Sequence, residues 1–221
     1  MITSIAMLYD LANPQKFVCD VAKCLAPDGL WIFEQSYVGT MLAQNAFDTI
    51  CHEHLEYYGL TQIERLLQDN DLRAFDVSFN DVNGGSFRAH ACHRAATFKS
   101  SARLEKARRI EQNSGNDKFG AFDAFRSRVI NITGQVRAFI QSEHAAGKSI
   151  YVYGASTKGN IFLQYCELDN QTIRACADRN PEKWGRRTPG THIPIISEAE
   201  AREAHPDYFL VLPFIYGAAT Q

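Results

Sequence analysis

A strand–helix–strand pattern occurs twice in this 221-residue chain, once near each end. In the first copy, the apolar segment 1–10 is followed by Asn13 and Pro14, a helix N-cap with proline at the first helical position. Apolar residues then recur at helical spacing as far as the turn at 26–29, and the segment 30–37 is typical of a buried strand. Such units build parallel sheets with right-handed crossovers, which bind ligands at the carboxyl ends of their strands. The pattern therefore predicts an α/β fold.

The second copy lies in the last third of the chain. It begins at Ser149 with an apolar strand, followed by the turn 154–160, a helix, and a strand that ends at Asp178. Beyond a polar loop come a short apolar strand, a helix that starts at Ser197, and a strand over 208–212. Both ends of the chain are therefore expected to be α/β.

The middle of the chain predicts an antiparallel pair of strands and several helices. Segments 72–80 and 86–94 alternate in polarity and flank a turn-rich connection. A short helix is expected over 61–70, capped by Thr61 with Glu64 three residues further on.

Residues 99–147 have a helical, charged pattern that is broken once, at 113–116. The second helix of this region is expected to carry an apolar stripe formed by Phe119, Phe122, Phe125, Val129, Ile132, Val136, Phe139 and Ile140. The region is predicted to connect two sheets.

Composition excludes several classes of protein. With 23 basic and 25 acidic side chains the net charge is −2, so no bulk field favours nucleic acid or an anionic membrane as a partner. The 45 % hydrophobic content is that of a chain with a packed core. No segment approaches the ~20 apolar residues that span a bilayer, and the first residues lack the pattern of a secretory signal, so a cytoplasmic location is expected.

The cysteines do not form a Cys-x-x-Cys pair, so the sequence indicates neither a zinc knuckle nor a redox dithiol. They are expected to be reduced and mostly buried: Cys19, Cys24, Cys51, Cys92, Cys166 and Cys176.

The densest polar cluster is Cys51-His52-Glu53-His54. Two imidazoles beside a carboxylate are suited to binding a metal or to general-base chemistry, since imidazole titrates near pH ~6.5; a structural role is the third alternative. On a strand the two rings would share a face, but zinc would need a third ligand, for which the candidates by residue type are His90, Cys92 and His93.

Two glycine-containing turns are candidate anion sites. In the segment 82–88, paired glycines allow close approach of backbone N–H groups and Arg88 adds a charged fork, although a plain hairpin turn explains the same residues. The segment 154–160 lies between a strand and a helix, where N-terminal amides and Lys158 can hold a phosphate. It matches neither the dinucleotide fingerprint nor the Walker motif in spacing, and a tight turn with an exposed lysine is the alternative.

Acidic and basic residues follow the next strand. Asp178 lies 24 residues beyond Gly154, where an acidic side chain binds ribose hydroxyls in nucleotide-binding units. The basic run Lys183, Arg186 and Arg187 is either a solvated loop face or an aid to diphosphate binding.

Five segments in this order resemble the S-adenosylmethionine-dependent C-methyltransferases that act on nucleotide-linked deoxysugars: 34–37, 45–60, 82–88, 153–160 and 178–195. The resemblance implies the back half of a class I methyltransferase Rossmann-like sheet followed by a second Rossmann-like α/β domain. It divides the chain into the C-terminal half of a methyltransferase domain, a helical connector and an incomplete nucleotide-sugar domain: 1–98, 99–147 and 148–221.

The family also has an N-terminal zinc module rich in cysteine and a glycine-rich cofactor loop. The present sequence contains neither of them, and the family continues beyond the strand over 208–212. The resemblance therefore implies a fragment that is truncated at both ends and is not expected to be active alone.

The resemblance further implies a reaction, in which a base removes the proton next to the carbonyl of a nucleotide-linked 4-keto-6-deoxysugar and carbon takes the methyl group of S-adenosylmethionine. The catalytic base falls on His54, and Glu53 orients the base or handles the sugar's proton. Tyr9 lies where some members place a catalytic histidine. What remains of the cofactor site is its late wall, with Met7 and Asp10.

By the same resemblance, the partner is a nucleotide sugar of dTDP type, and three sets of residues contact it. The diphosphate set is Ser156, Lys158 and Asn160; the nucleoside set is Asp178 and Asn180; the sugar-pocket set is Gly84, Gly85 and Ser86. A non-catalytic nucleotide-sugar-binding module and a metal-dependent hydrolase built on His52 and His54 are the alternative functions.

Overall fold

The computed structural model describes residues 1–116 and 118–212, which form two compact units. The first unit contains Met1–Ala46 together with residues 52–116 and 118–126, and the second contains Phe47–Cys51 and residues 127–212. Each combines strands with helices, so the predicted α/β class is confirmed. The three-part division of the chain stays a prediction, and residues 213–221 of its last part lie outside the described residues.

The first unit contains a mixed sheet with the order β1-β2-β4-β3. Its strands are β1 Ile2–Ile5, β2 Trp31–Ser36, β3 Leu72–Asn80 and β4 Ser86–His93. β1 and β2 are parallel and are joined through helix α1, Pro14–Cys24, whose first turn is capped by the Asn13 side chain as predicted. β4 pairs antiparallel with both β2 and β3. The predicted hairpin is thus confirmed.

Three further helices belong to the first unit: α2 Val38–Gln44, α3 Leu60–Gln68 and α4 Ala102–Ser114. The predicted cap of α3 at Thr61 is wrong. The helix begins one residue earlier, because the buried carboxylate of Glu111 in α4 accepts the N–H groups of Leu60 and Thr61, both at 2.7 Å. Glu64, the expected capping partner, pairs instead with Arg108.

The core of the first unit lies on one face of its sheet. Alternation along the strands places the side chains of Trp31 and Phe33 from β2 with those of Phe87 and Ala89 from β4, and all four are at most 1 % exposed. Helix α4 packs on β3, where Asp76 accepts hydrogen bonds from the Ser101 hydroxyl and the Arg103 guanidinium.

The second unit contains a parallel sheet with the order β7-β6-β5-β8. Its strands are β5 Ile150–Tyr153, β6 Ala175–Ala177, β7 Ile195–Ile196 and β8 Tyr208–Val211. The remaining helices are α5 Phe119–Ala145, which begins in the first unit, α6 Thr157–Tyr165 and α7 Glu198–Glu203. Ile140 of α5 and Leu163 of α6 pack with the strands in one core.

The predicted apolar stripe of α5 is only partly buried. Phe125, Val129 and Ile140 are buried, whereas Phe119 and Phe139 are at least half exposed. None of the helices in the described ranges combines the length and the apolar character that crossing a bilayer requires.

The strand order of the second sheet identifies its ligand-binding edge. The chain adds β6 and β7 on one side of β5 and then returns to place β8 on the other side, which is the order 3-2-1-4 of doubly wound nucleotide-binding sheets. Ligands of such sheets bind outside the carboxyl ends of the strands where this order reverses. Here that position is the turn after β5, which leads into α6.

Candidate functional site

The carboxyl ends of β1 and β2 meet at one edge of the first sheet because the two strands are parallel. β1 is followed by a single 3-10 turn, Leu8–Asp10, in which Leu8 and Tyr9 are buried. Asp10 is exposed on this turn, and its N–H bonds the carbonyl of Met7 at 3.1 Å. The two residues predicted for the cofactor, Met7 and Asp10, therefore lie together at the end of β1.

His54 packs on this turn. Its half-buried ring lies edge-on to the ring of Tyr9, with 4.6 Å between centroids and 62° between planes. The N–H groups of Leu55 and Glu56 donate to the carbonyl of Tyr9 at 2.9 and 3.1 Å. Ring packing and backbone bonding together hold the imidazole at the carboxyl edge of the sheet.

The neighbours of His54 are more exposed. His52 and Glu53 are exposed and lie in a turn rather than in a strand, so the strand geometry that would place the two imidazoles on one face does not occur here. Among the described contacts, no hydrogen bond joins Glu53 to His54. Likewise, no three His, Cys, Asp or Glu side chains in residues 1–116 and 118–212 form a metal-binding group. His93, a candidate third ligand, is bound through Nε2 to the carbonyl of Leu25 at 3.0 Å.

Two polar side chains at the end of β2 differ in their partners: one forms an ion pair, and the other has no described hydrogen bond. Glu34 is buried and pairs with Arg88 across the β2–β4 ladder at 2.8 Å. Gln35 is only 1 % exposed, and within the part of the chain that is described neither Oε1 nor Nε2 has a hydrogen-bond partner. A buried amide without partners is unfavourable unless a ligand or water completes it. The sequence signal for Gln35 is its place at the end of a strand.

The turn between β3 and β4 holds the predicted sugar-pocket residues. Gly85 has a φ of +114°, and its carbonyl accepts the Tyr37 N–H at 3.1 Å. The Ser86 hydroxyl is buried and donates to the Val82 carbonyl at 2.9 Å, while Gly84 is half-buried. Gly85 and Ser86 thus have structural contacts of their own, and their contact with a sugar stays a prediction.

In the second unit, the turn after β5 has the outer glycines of a dinucleotide fingerprint. Gly154 has a φ of +96°, and Ser156 caps α6 by accepting the Gly159 N–H at 3.0 Å. A Cβ on Gly159 would lie 3.1 Å from Leu212 Cδ1 and 3.3 Å from the Gly154 carbonyl. Gly154 and Gly159 have the spacing of the first and third glycines in Gly-x-Gly-x-x-Gly. The expectation that spacing excludes this motif is wrong: the motif differs only in Ser156 at its middle position.

Asp178 fastens this turn to the end of β6. Its Oδ2 accepts the Ala155 N–H at 2.8 Å and the Lys183 ammonium at 3.0 Å, and its Oδ1 accepts the Asn180 N–H at 2.9 Å. Burial raises the pKa of Asp178, but these hydrogen bonds and the Lys183 charge outweigh burial and hold it below the ordinary value. The carboxylate is therefore ionised at neutral pH and fixes the loop. The ribose contact expected of it stays a prediction.

The other predicted diphosphate residues lie on the first turn of α6. Lys158 is half-buried. Burial raises the pKa of Asp48 above its ordinary value, and the charge of Lys158 opposes only part of this rise. The side-chain Oδ1 of Asn160 is buried and has no hydrogen-bond partner among residues 1–116 and 118–212. Of the basic run after Asp178, Lys183 joins the network by donating to the Ala155 carbonyl at 2.9 Å. Arg186 is exposed.

Comparisons with known proteins find methyltransferase family models that match both halves of the chain. A family model described as the C-methyltransferase C-terminal domain matches residues 81–219, and one described as a methyltransferase domain matches residues 1–77. The chain belongs to the C-methyltransferase family. The C-methyltransferase NovU of Streptomyces niveus is 36 % identical over 196 residues, which are 89 % of this chain and 47 % of NovU. This family member thus spans about half the length of the curated relative that it matches.

One solved structure, a complex of the Haloferax volcanii Trm112 methyltransferase activator with a methyltransferase, has a TM-score of 0.36 and 11 % identity. The likeness covers 41 % of this chain and 52 % of that chain. The family models confirm the interpretation of the first sheet as a methyltransferase sheet.

Proposed function

We propose that this C-methyltransferase family member takes part in S-adenosylmethionine-dependent methylation of carbon in a nucleotide-linked 4-keto-6-deoxysugar. The observation that carries the proposal is the His54 imidazole, held on Tyr9 at the carboxyl edge of the methyltransferase sheet. The similarity to NovU supports carbon as the methylated atom, since that relative is a C-methyltransferase.

The end of the first sheet fits the cofactor. Met7 and Asp10 lie on the turn after β1, and the partnerless Gln35 amide at the end of β2 suits a polar ligand group. These three residues would hold part of S-adenosylmethionine. When bound, the cofactor supplies an electrophilic methyl group for transfer to carbon.

The proton chemistry belongs to His54. A carbonyl acidifies the C–H bond beside it, and a positioned imidazole takes that proton while the C–H electron pair forms an enolate. S-adenosylmethionine, if bound, would supply the methyl group to the enolate carbon, and its C–S bond would break with the electron pair left on sulfur, giving the neutral thioether product. Tyr9 holds the ring of His54 from its edge. Glu53 is exposed and has no described hydrogen bond to His54, and we propose that it handles the sugar's proton on the solvent side.

The second unit is proposed to bind the nucleotide, of dTDP type. Ser156, Lys158 and Asn160 lie at the start of α6, where helix N-terminal amides favour phosphate groups. Asp178 and Asn180 follow β6, the strand whose end faces the ribose in sheets of this order. In the first unit, Gly84, Gly85 and Ser86 are proposed to border the sugar.

The test is methyl transfer from labelled S-adenosylmethionine to a dTDP-4-keto-6-deoxysugar by the full-length gene product, because this chain spans about half the length of NovU. Replacing a general base reduces turnover by about 10²- to 10⁴-fold, and we expect this loss for His54→Gln with unchanged affinity for dTDP. His144→Gln, at an exposed position near the end of α5, is the matched control and should retain full turnover. Full turnover by His54→Gln would refute the role of His54.

A non-catalytic nucleotide-sugar-binding module is the second candidate function. The second unit has its own hydrophobic core, and its turn after β5 leads into the N-terminus of α6, where a phosphate can bind. Calorimetry with dTDP and with S-adenosylmethionine distinguishes the two functions. Binding of both ligands supports the methyltransferase, whereas binding of dTDP alone favours the module.

A further inference from the structure

A large aromatic side chain is exposed in the second unit, in the loop whose residues hydrogen-bond to the turn after β5. Trp184 follows a single 3-10 turn, Pro181–Lys183, in the loop after β6, and it is 42 % exposed. The only other tryptophan in the sequence, Trp31, is fully buried in the first unit. An exposed tryptophan offers a large apolar ring together with a polar N–H, a combination that is frequent at binding surfaces.

The indole of Trp184 is held in one orientation. Its Nε1 donates to the Asp178 carbonyl at 2.8 Å, and its backbone N–H donates to the Pro181 carbonyl at 3.2 Å. The hydrogen bond uses the edge of the ring, and the exposed part of the side chain is accessible to a ligand. Because the side chain is already ordered, a ligand that stacks on it loses little affinity to side-chain entropy.

The same residue that anchors the indole also anchors the turn after β5. Asp178 binds Trp184 through its carbonyl and the Ala155 N–H through its carboxylate. The Lys183 ammonium bonds both the Asp178 carboxylate and the Ala155 carbonyl. Ring, carboxylate and turn therefore form one hydrogen-bonded network at the ends of β5 and β6.

The turn after β5, Asp178 and Trp184 follow one another in the same order as the phosphates, the sugar and the base of a nucleotide. In sheets with this strand order, the phosphates lie at the turn after the first strand, and the ribose lies at the acidic residue that ends the second strand. Asp178 is that acidic residue, and Trp184 is bonded to it. The base attached to such a ribose is a flat aromatic ring that needs a stacking surface.

We propose that Trp184 is the stacking platform for the nucleobase of the bound nucleotide, an inference that rests on the proposed nucleotide site of the second unit. Stacking tolerates any base, since every base has a π-face. Trp184 therefore sets the affinity for the base. The turn after β5 binds the phosphates, and Asp178 accepts a hydrogen bond from the 3′-hydroxyl of the deoxyribose, since dTDP has no 2′-hydroxyl.

Tryptophan fluorescence of the full chain provides the test. Because Trp31 is buried in the other unit, quenching by dTDP reports on Trp184. We expect saturable quenching by dTDP, and binding of inorganic pyrophosphate without quenching. The Trp31→Phe variant should keep the quenching and is the matched control.

Substitution measures the contribution of the ring. Loss of a stacked aromatic ring weakens binding of a base by about tenfold or more, and we expect Trp184→Ala to lose dTDP affinity by this factor while pyrophosphate affinity is unchanged. Trp184→Phe keeps a ring but not the indole N–H, and should retain most of the affinity. Circular dichroism of both variants checks that the fold is intact.

The outcomes separate this inference from the proposed function. If calorimetry detects no binding of dTDP to the unsubstituted protein, the nucleotide site and the stacking platform are both refuted. If dTDP binds and Trp184→Ala binds it equally well, the site stands and the platform is refuted.

Discussion

Gln35 shows how a single side chain can oppose folding and support ligand binding. It shares the core-facing side of β2 with Trp31 and Phe33, directly opposite Phe87 of β4. An apolar side chain would be more favourable at this position, because the described residues offer the amide no hydrogen bond in return for the loss of its water. We interpret the amide as a group that a ligand completes.

The first prediction follows from this position. Gln35→Met keeps the length of the side chain and removes the buried amide, so the free energy of unfolding should rise by about 1 to 2 kcal/mol. The same variant should bind S-adenosylmethionine less tightly. Urea denaturation and calorimetry measure the two effects.

The exposed Gln135→Met variant in α5 is the control, and its unfolding should change by less than about 0.5 kcal/mol. A Gln35→Met protein that is less stable than the unsubstituted one would show that the amide has a structural partner.

At the scale of elements, the turn between β3 and β4 depends on glycine at one position. An ideal Cβ on Gly85 would lie 2.2 Å from Thr40 Cγ2, and the φ of +114° is one that other residues rarely adopt. Gly134, in the middle of α5, has open space around the position of its Cβ and needs no such freedom.

The second prediction compares these two glycines. Gly85→Ala should lower the free energy of unfolding by about 2 to 3 kcal/mol, because Thr40 and the backbone must both move. Gly134→Ala should raise it by about 0.5 to 1 kcal/mol through helix propensity. Thermal and urea denaturation test both substitutions. Equal effects on the free energy of unfolding would contradict the conclusion that position 85 requires glycine and position 134 does not.

Local signals predicted most elements, and long-range contacts decided the details that the sequence analysis missed. Asn13 followed by Pro14 is sufficient to start α1, and two alternating segments with turn residues between them are sufficient for the hairpin. The start of α3 was wrong because its cap is Glu111, 50 residues further on. No local pattern reveals such a partner.

The same distinction applies to the candidate site. The cluster around His54 is visible in the sequence, but its contact with Tyr9 joins residues 45 positions apart, and only the fold brings them together. In the second unit, a strand, a turn and a helix predicted the site of Ser156 and Asp178 from local pattern alone. The burial that distinguishes Gln35 depends on neighbours from β4.

For the whole molecule, ionisable groups in both units set the pH range of stability. Hydrogen bonds and arginine or lysine charges outweigh burial and hold the pKa of Asp76 and of Asp178 below the ordinary value. Burial raises the pKa of Cys166 to about 11; burial and then the Asp178 charge raise that of Cys176 to about 12. Burial, followed by the Glu56 charge, also raises the pKa of Tyr58 to about 12.

The sign of each contribution follows from linkage. A carboxyl group whose pKa is lower in the folded state stabilises the protein above its unfolded pKa of ~3.9 and loses that effect as pH falls through the folded value. A thiol or phenol whose pKa is higher in the folded state stabilises fully below its unfolded pKa, ~8.5 or ~10, and loses that effect as pH rises towards the folded value. Stability should therefore be nearly constant between about pH 5 and 8 and fall on both sides.

The third prediction concerns the alkaline side of this range. Because Cys176 and Cys166 begin to oppose folding above about pH 8.5, the free energy of unfolding should fall between about pH 8.5 and about pH 9.5, before the tyrosines contribute. Replacing Cys176 by alanine should make this fall shallower, whereas Cys24→Ser, at an exposed position, should leave it unchanged. Urea denaturation at a series of pH values measures the slope. An equal slope in the Cys176→Ala protein would show that another group dominates the alkaline loss.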